Sequence, residues 1–221
     1  MFQSSIAIFR KDLSSELRTR YAINALLMFV VVTLAVILFA LVGETLSRAA
    51  LAGMLWVVMF FATMSGMSRC FVSEEERGTT MTLQLLSHSA SIFAGKLLFN
   101  SLLVLVLNAF IVGMFLFVIP EFQVNQPALF WLVIFLGGLG IAAATTIIAA
   151  IIARANTKGT LFPVLSFPVL LPLLMAGISA TKVALEESVW DNAVSDIQLL
   201  GSYIVVVVTA SFLLFDFVWK D

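Results

Sequence analysis

Charged residues divide the chain into apolar runs of similar length. One run covers 22–42 between Arg20 and Glu44, a second 49–68 between Arg48 and Arg69, and a third 97–120 between Lys96 and Glu121. A fourth covers 128–153 and ends at Arg154, a fifth covers 159–181 between Lys158 and Lys182, and a sixth covers 197–215 between Asp196 and Asp216. A helix needs about 20 apolar residues to cross the hydrocarbon core, where its backbone groups must satisfy one another. None of the runs alternates with period two, so barrel strands are excluded. The pattern predicts an all-α integral membrane protein: six transmembrane helices forming one domain over 1–221.

Two segments outside the spans carry a pattern of their own. Over 4–21, Ile6, Phe9, Leu13, Leu17 and Tyr21 recur at spacings of three or four, with Arg10, Lys11, Ser14 and Arg18 off that stripe. This predicts an amphipathic helix in the cytoplasmic interface, anchored by Phe9, Arg10, Lys11, Leu13 and Leu17. A specific docking role is compatible with the same pattern. The segment 69–96, between the second and third spans, contains Glu74, Glu75, Glu76, Arg77 and Gly78, then Met81, Leu85 and Leu86. Gly78 lets the chain turn. The residues after it place Met81, Leu85 and Leu86 on one apolar face of a short helix, too short to be stable unless it packs on something. The alternative is a solvated connection, although a bare one usually takes about 2–8 residues.

Within the spans, Gly138, Ala142, Thr146 and Ala150 form a ridge of small residues that lets helices approach closely. Pro163, Pro168 and Pro172 punctuate the fifth span, each freeing a backbone carbonyl. Asn100 and Asn108 share a face of the third span and suggest interhelical hydrogen bonds. These features, with Pro168 and Pro172 grouped as packing residues, fit ordinary bundle packing. In the acidic loop 181–198, Trp190 reads as an interfacial aromatic rather than a haem-holding residue.

Composition agrees with the pattern and charge orients it. The chain is 62% hydrophobic and 11% charged, against about 25% charged in a soluble domain. A net charge of −1 argues against nucleic-acid binding. With the N-terminus inside, ten of the 12 Lys and Arg residues face the cytoplasm, leaving only Arg48 and Lys182 outside. Both termini are therefore expected to be cytoplasmic. The first apolar run begins at Ala22 and exceeds the apolar core of a cleaved signal peptide, so none is expected.

Candidate chemistry is sparse. Cys70 is the only cysteine, which excludes internal disulfides and thiol metal clusters. His88 is the only histidine, which excludes paired-histidine metal sites. Gly95-Lys96 lacks both the upstream glycine (Ala90 stands there) and the following Ser or Thr of a phosphate-binding loop. No ionisable residue falls at mid-depth of a span, as a proton relay would need; Lys96 and Asp216 lie near span ends. The expectation is a subunit with no catalytic residue and no directly bound cofactor or metal, powered by a partner.

Several stretches carry a resemblance over nearly the whole chain: Phe9-Arg-Lys-Asp-Leu13 with Glu16-Leu-Arg18, Gly53-Met-Leu-Trp56, Arg69-Cys-Phe71 followed by acidic residues and Gly78, Gly95-Lys96, and Lys158-Gly159 with the proline-rich 165–174. The chain resembles the membrane subunits of ABC-2-type exporters and, more narrowly, the haem exporter protein B family of cytochrome c maturation. The resemblance implies a permease in the bacterial inner membrane, two copies per complex, with haem as the cargo of the complex. It implies an ATP-binding subunit (A) that holds the ATP and docks on the 69–96 coupling segment, through Glu74–Gly78 and Met81, Leu85 and Leu86. A haem-handling membrane subunit (C), a small membrane subunit (D) and a periplasmic haem chaperone (E) complete the implied set. The task is haem export or release of the haem-loaded chaperone. The rivals are an ABC-2 permease for another cargo and a non-transporting membrane scaffold.

Overall fold

A computed structural model describes residues 2–19, 21–41, 43, 46–67, 70–71, 88–154, 161–186 and 189–220. Among them every regular element is helical: α1 (Phe2–Thr19), α2 (Tyr21–Ala40), α3 (Arg48–Met67), α4 (Ser89–Val118), α5 (Pro127–Arg154), α6 (Leu161–Leu185), a short 3₁₀ turn (Trp190–Ala193) and α7 (Val194–Lys220). The helices α2 to α7 are each long and apolar enough to cross a membrane. The chain is an all-α, multi-pass membrane protein. The coupling helix expected within 69–96 falls largely on 72–87, outside the described residues.

Helix α5 is the centre of the bundle, packing against α4, α6 and α7 and also touching α3. Of its span, 78% is buried, against 17% for α2 and 11% for α7, whose surfaces are mostly left uncovered by the rest of the chain. Its composition explains the position. Gly137, Gly138 and the buried run Ile141–Ala144 keep the helix thin, so neighbours can close on its backbone. Gly138, Ala142, Thr146 and Ala150 are all buried in this core.

Two features depart from the reading of the sequence. Pro168 and Pro172 lie inside an unbroken α6 but on its exposed side, while Leu170 and Leu173 face the bundle. Within this chain they do not pack on the bundle; the face that lacks amide donors is turned away from the core. Second, α4 begins at Ser89, two turns before the uncharged run starts, and carries Lys96 buried within it. The charge is tolerated there because it is paired, as described next.

Candidate functional site: a junction at one end of the bundle

Helix α1 packs along α4. The face it presents is not its apolar stripe. Ser5, Ile8 and Asp12 are buried; Ile6, Phe9 and Leu13 are half-buried, and Arg10, Lys11 and Leu17 are exposed. The docked stripe runs at 5, 8 and 12, one residue off the apolar series. Close approach is possible because Gly95 has no side chain: a Cβ there would stand 2.7 Å from the Ser5 carbonyl oxygen and 2.8 Å from Ile8 Cβ.

Lys96 follows directly, 2% exposed. Its Nζ lies 3.0 Å from Asp12 Oδ2 and donates to the Cys70 carbonyl oxygen at 3.2 Å. The same ammonium sits 5.5 Å from the centre of the Phe71 ring, a cation–π arrangement. Lys11 Nζ flanks the other carboxylate oxygen of Asp12 at 3.3 Å. One turn further along α4, Asn100 Nδ2 donates to Thr146 Oγ1 at 2.9 Å, and the Cys70 thiol donates to Asn100 Oδ1 at 3.3 Å. Thr146 in turn donates to the Ala142 carbonyl at 2.6 Å, so this member of the α5 ridge makes a polar contact with α4 as well as packing.

Aromatic side chains close the junction on the α7 side. Phe71 packs against Phe215 and Trp219, which stack on each other with centroids 5.4 Å apart. Phe93 of α4 meets Phe212 and Phe215, each at 5.0 Å. Phe212, Phe215 and Trp219 share one face of α7 because they recur at three and four residues. At the start of α4, Ser89 donates a hydrogen bond to Asp216 of α7.

Both flanks of 72–87 are thus fastened to the bundle: Phe71 by Lys96 and the α7 aromatics, Ser89 by Asp216. The candidate contacts Glu74, Glu75, Glu76, Arg77, Gly78, Met81, Leu85 and Leu86 lie between those flanks, outside the described residues. Sequence reasoning did not single out Asp12, Cys70, Phe71 or the α7 aromatics as a group. The available signals were the stripe at 5, 8 and 12 and the spacing of 212, 215 and 219. Three of the stretches that carry the family resemblance, around Asp12, Phe71 and Gly95-Lys96, meet here.

The opposite half of the bundle is built around Trp56. Its indole is fully buried between Gly137 of α5 and Gly177 of α6, and Nε1 donates to Thr181 Oγ1 at 2.9 Å. Arg48, at the start of α3, donates to the Glu121 carbonyl in the α4–α5 connection. Trp190 is exposed on the 3₁₀ turn beside Asp191. Among the described residues, no three His, Cys, Asp or Glu side chains gather as a metal-ligand set.

Asn108 behaves differently from Asn100. It is fully buried with its amide facing Gly138, and neither amide atom has a hydrogen-bond partner among the described residues. The shared face predicted two interhelical bonds, but only Asn100 meets a threonine. Opposite Asn108 the ridge offers a glycine, which has no side-chain acceptor. Burying an unpaired amide costs about 1–3 kcal/mol. Asn108→Leu, of similar shape, is expected to raise the thermal midpoint in detergent. A lower midpoint means that the amide holds a polar partner such as a bound water.

The CcmB protein family model matches residues 3–217, a stretch that includes every residue of this junction except Trp219. No curated protein matches the chain.

Proposed function

Because the chain belongs to the CcmB protein family, a membrane component of the haem-export system of cytochrome c maturation, we propose that it is the non-catalytic permease subunit of an ABC transporter. Two copies form the membrane core, and each receives an ATP-binding subunit on the segment 72–87. Glu74, Glu75, Glu76 and Arg77 supply the charged contacts, while Met81, Leu85 and Leu86 supply an apolar face for a groove on that partner. ATP is hydrolysed there, and the movement supports haem export or the release of a haem-loaded periplasmic chaperone. The haem-handling membrane subunit and the small membrane subunit complete the assembly in the bacterial inner membrane. The bias of Lys and Arg supports a topology with both termini and 72–87 on the cytoplasmic side, where an ATPase can reach them.

The observation that carries this reading is the mounting of the segment. A loop that only joins two spans needs no fixture, yet its flanks are held by a buried lysine, an aromatic cluster and a serine–aspartate hydrogen bond. A loop that receives force from a partner needs such a mount, because a slack attachment would absorb the displacement. Reversing the charge of Glu74–Glu76 is expected to abolish co-purification with the ATP-binding subunit while leaving the chain folded in the membrane. Undiminished co-purification and cytochrome c output would remove the assignment.

A further inference from the structure

We propose that Lys96 is a positioning residue that locks helix α1 to the Phe71 end of the segment 72–87, so that both move as one body when the ATP-binding partner acts. The proposal rests on the permease reading above and extends it to residues that make no contact with the partner.

Location makes the case first. Lys96 lies about 33 Å from Val118 along the helix axis, about the thickness of the hydrocarbon layer, so with Val118 at one face it would sit at the edge of the other. A lysine at that depth ordinarily runs its stem outward and keeps its ammonium in water. Lys96 turns inward instead and is 2% exposed. An ammonium has three donors in fixed directions from one centre. Here that centre meets Asp12 of α1 at 3.0 Å, the Cys70 carbonyl at 3.2 Å and the face of Phe71 at 5.5 Å. One group on α4 therefore holds two other pieces of chain, far apart in sequence.

The chemistry points away from simple glue. A buried ion pair adds little stability over apolar side chains of the same volume, because desolvation offsets the attraction. It does fix one geometry, since a carboxylate and an ammonium cannot slide past each other inside a dry interface as methylenes can. Gly95 sharpens the fit by letting the α1 backbone sit against α4 beside the pair. Beyond Phe71, the Phe215–Trp219 stack and the Ser89–Asp216 bond carry the same rigid unit onto α7.

The test uses the complete chain with its ATP-binding subunit in lipid nanodiscs. The variants are Lys96→Met, Asp12→Leu and the double variant. Three quantities are read: thermal midpoint, co-purification with the ATP-binding subunit, and stimulation of its ATPase by the membrane subunit. Each single variant leaves a buried charge and is expected to lower the midpoint. The double variant is expected to regain most of the midpoint and to co-purify normally, but to lose ATPase stimulation about tenfold. A merely structural pair would recover stimulation together with stability, and that result overturns the proposal. If the double variant fails to accumulate, Lys96→Gln decides, since it retains a donor for the Cys70 oxygen but no charge for Asp12. It is expected to co-purify and to couple poorly, whereas full coupling overturns the proposal. A wild-type chain that neither binds nor stimulates an ATP-binding subunit rejects the permease reading and this proposal with it. Wild-type stimulation matched by the double variant rejects the role of Lys96 alone.

Discussion

Alanine at Gly177 is expected to destabilise the bundle by about 3 kcal/mol, at the upper end of the usual cost of overpacking a core. The added methyl would stand 2.3 Å from Trp56 Cζ2 and 2.4 Å from Cη2. An indole turns about only two side-chain torsions, so it cannot yield locally as a lysine or methionine tip would. Escape toward α5 is blocked, because Trp56 Cη2 already lies 2.1 Å from where a Cβ on Gly137 would be. The ring must leave its slot and forfeit the bond to Thr181. The check is the thermal midpoint of purified protein in a mild detergent, with Gly201→Ala as control, since a Cβ at Gly201 meets nothing within 4 Å. That control is expected to change stability by less than about 0.5 kcal/mol. Trp56→Leu combined with Gly177→Ala is expected to recover part of the loss, because the smaller side chain vacates the contested volume. An unchanged midpoint for Gly177→Ala alone would show that the indole is not wedged.

Valine at Gly95 is expected to be at least as damaging, by about 3 kcal/mol. Its Cβ would meet the Ser5 carbonyl oxygen at 2.7 Å, and a helix backbone cannot step aside without taking its whole helix along. Overpacking costs about 1–3 kcal/mol. Lifting α1 also separates Asp12 from Lys96, but both charges then regain water, so the lost pairing adds little to the overpacking cost. Trypsin reports the separation directly. Cleavage at Arg10, Lys11 and Arg18 is expected to accelerate by at least about tenfold relative to wild type, with cleavage elsewhere little changed. Equal digestion rates would mean that α1 stays seated despite the valine.

The six-span architecture was legible because hydrocarbon imposes a length and excludes unpaired charge, two constraints that act on local sequence. Arg20, Arg48, Arg154 and Lys182 therefore marked span ends well. Lys96 misled as a marker because its partner, Asp12, belongs to a helix distant in sequence, and a charge that is neutralised across the fold no longer ends a helix. Pairings of this kind are set by packing and leave no local periodicity. The same holds for Trp56, where neither Gly137 nor Gly177 announces that both face one ring. Asn108 shows the converse: a spacing that promised a hydrogen bond meets a glycine. The prolines of α6 were visible as residues, but their side of the helix was not. The acidic and apolar contact residues of 72–87 were proposed from sequence; what the fold adds is how Phe71 and Ser89 hold the segment's two ends.

The orientation of α1 also has a consequence for how the chain is built. Ribosomes deliver α1 before α4, yet the surface that receives Ser5, Ile8 and Asp12 exists only after α4 has entered the bilayer. Until then the amphipathic stripe expected from the sequence, Phe9, Leu13 and Leu17 with Arg10, Lys11 and Arg18 beside it, would rest the newborn helix on the lipid surface. When α4 arrives, α1 can dock without giving up that footing, because the docking stripe and the lipid stripe are adjacent rather than shared. Docking then takes a carboxylate and an ammonium out of water together, a step that a chain interrupted before residue 96 could not take.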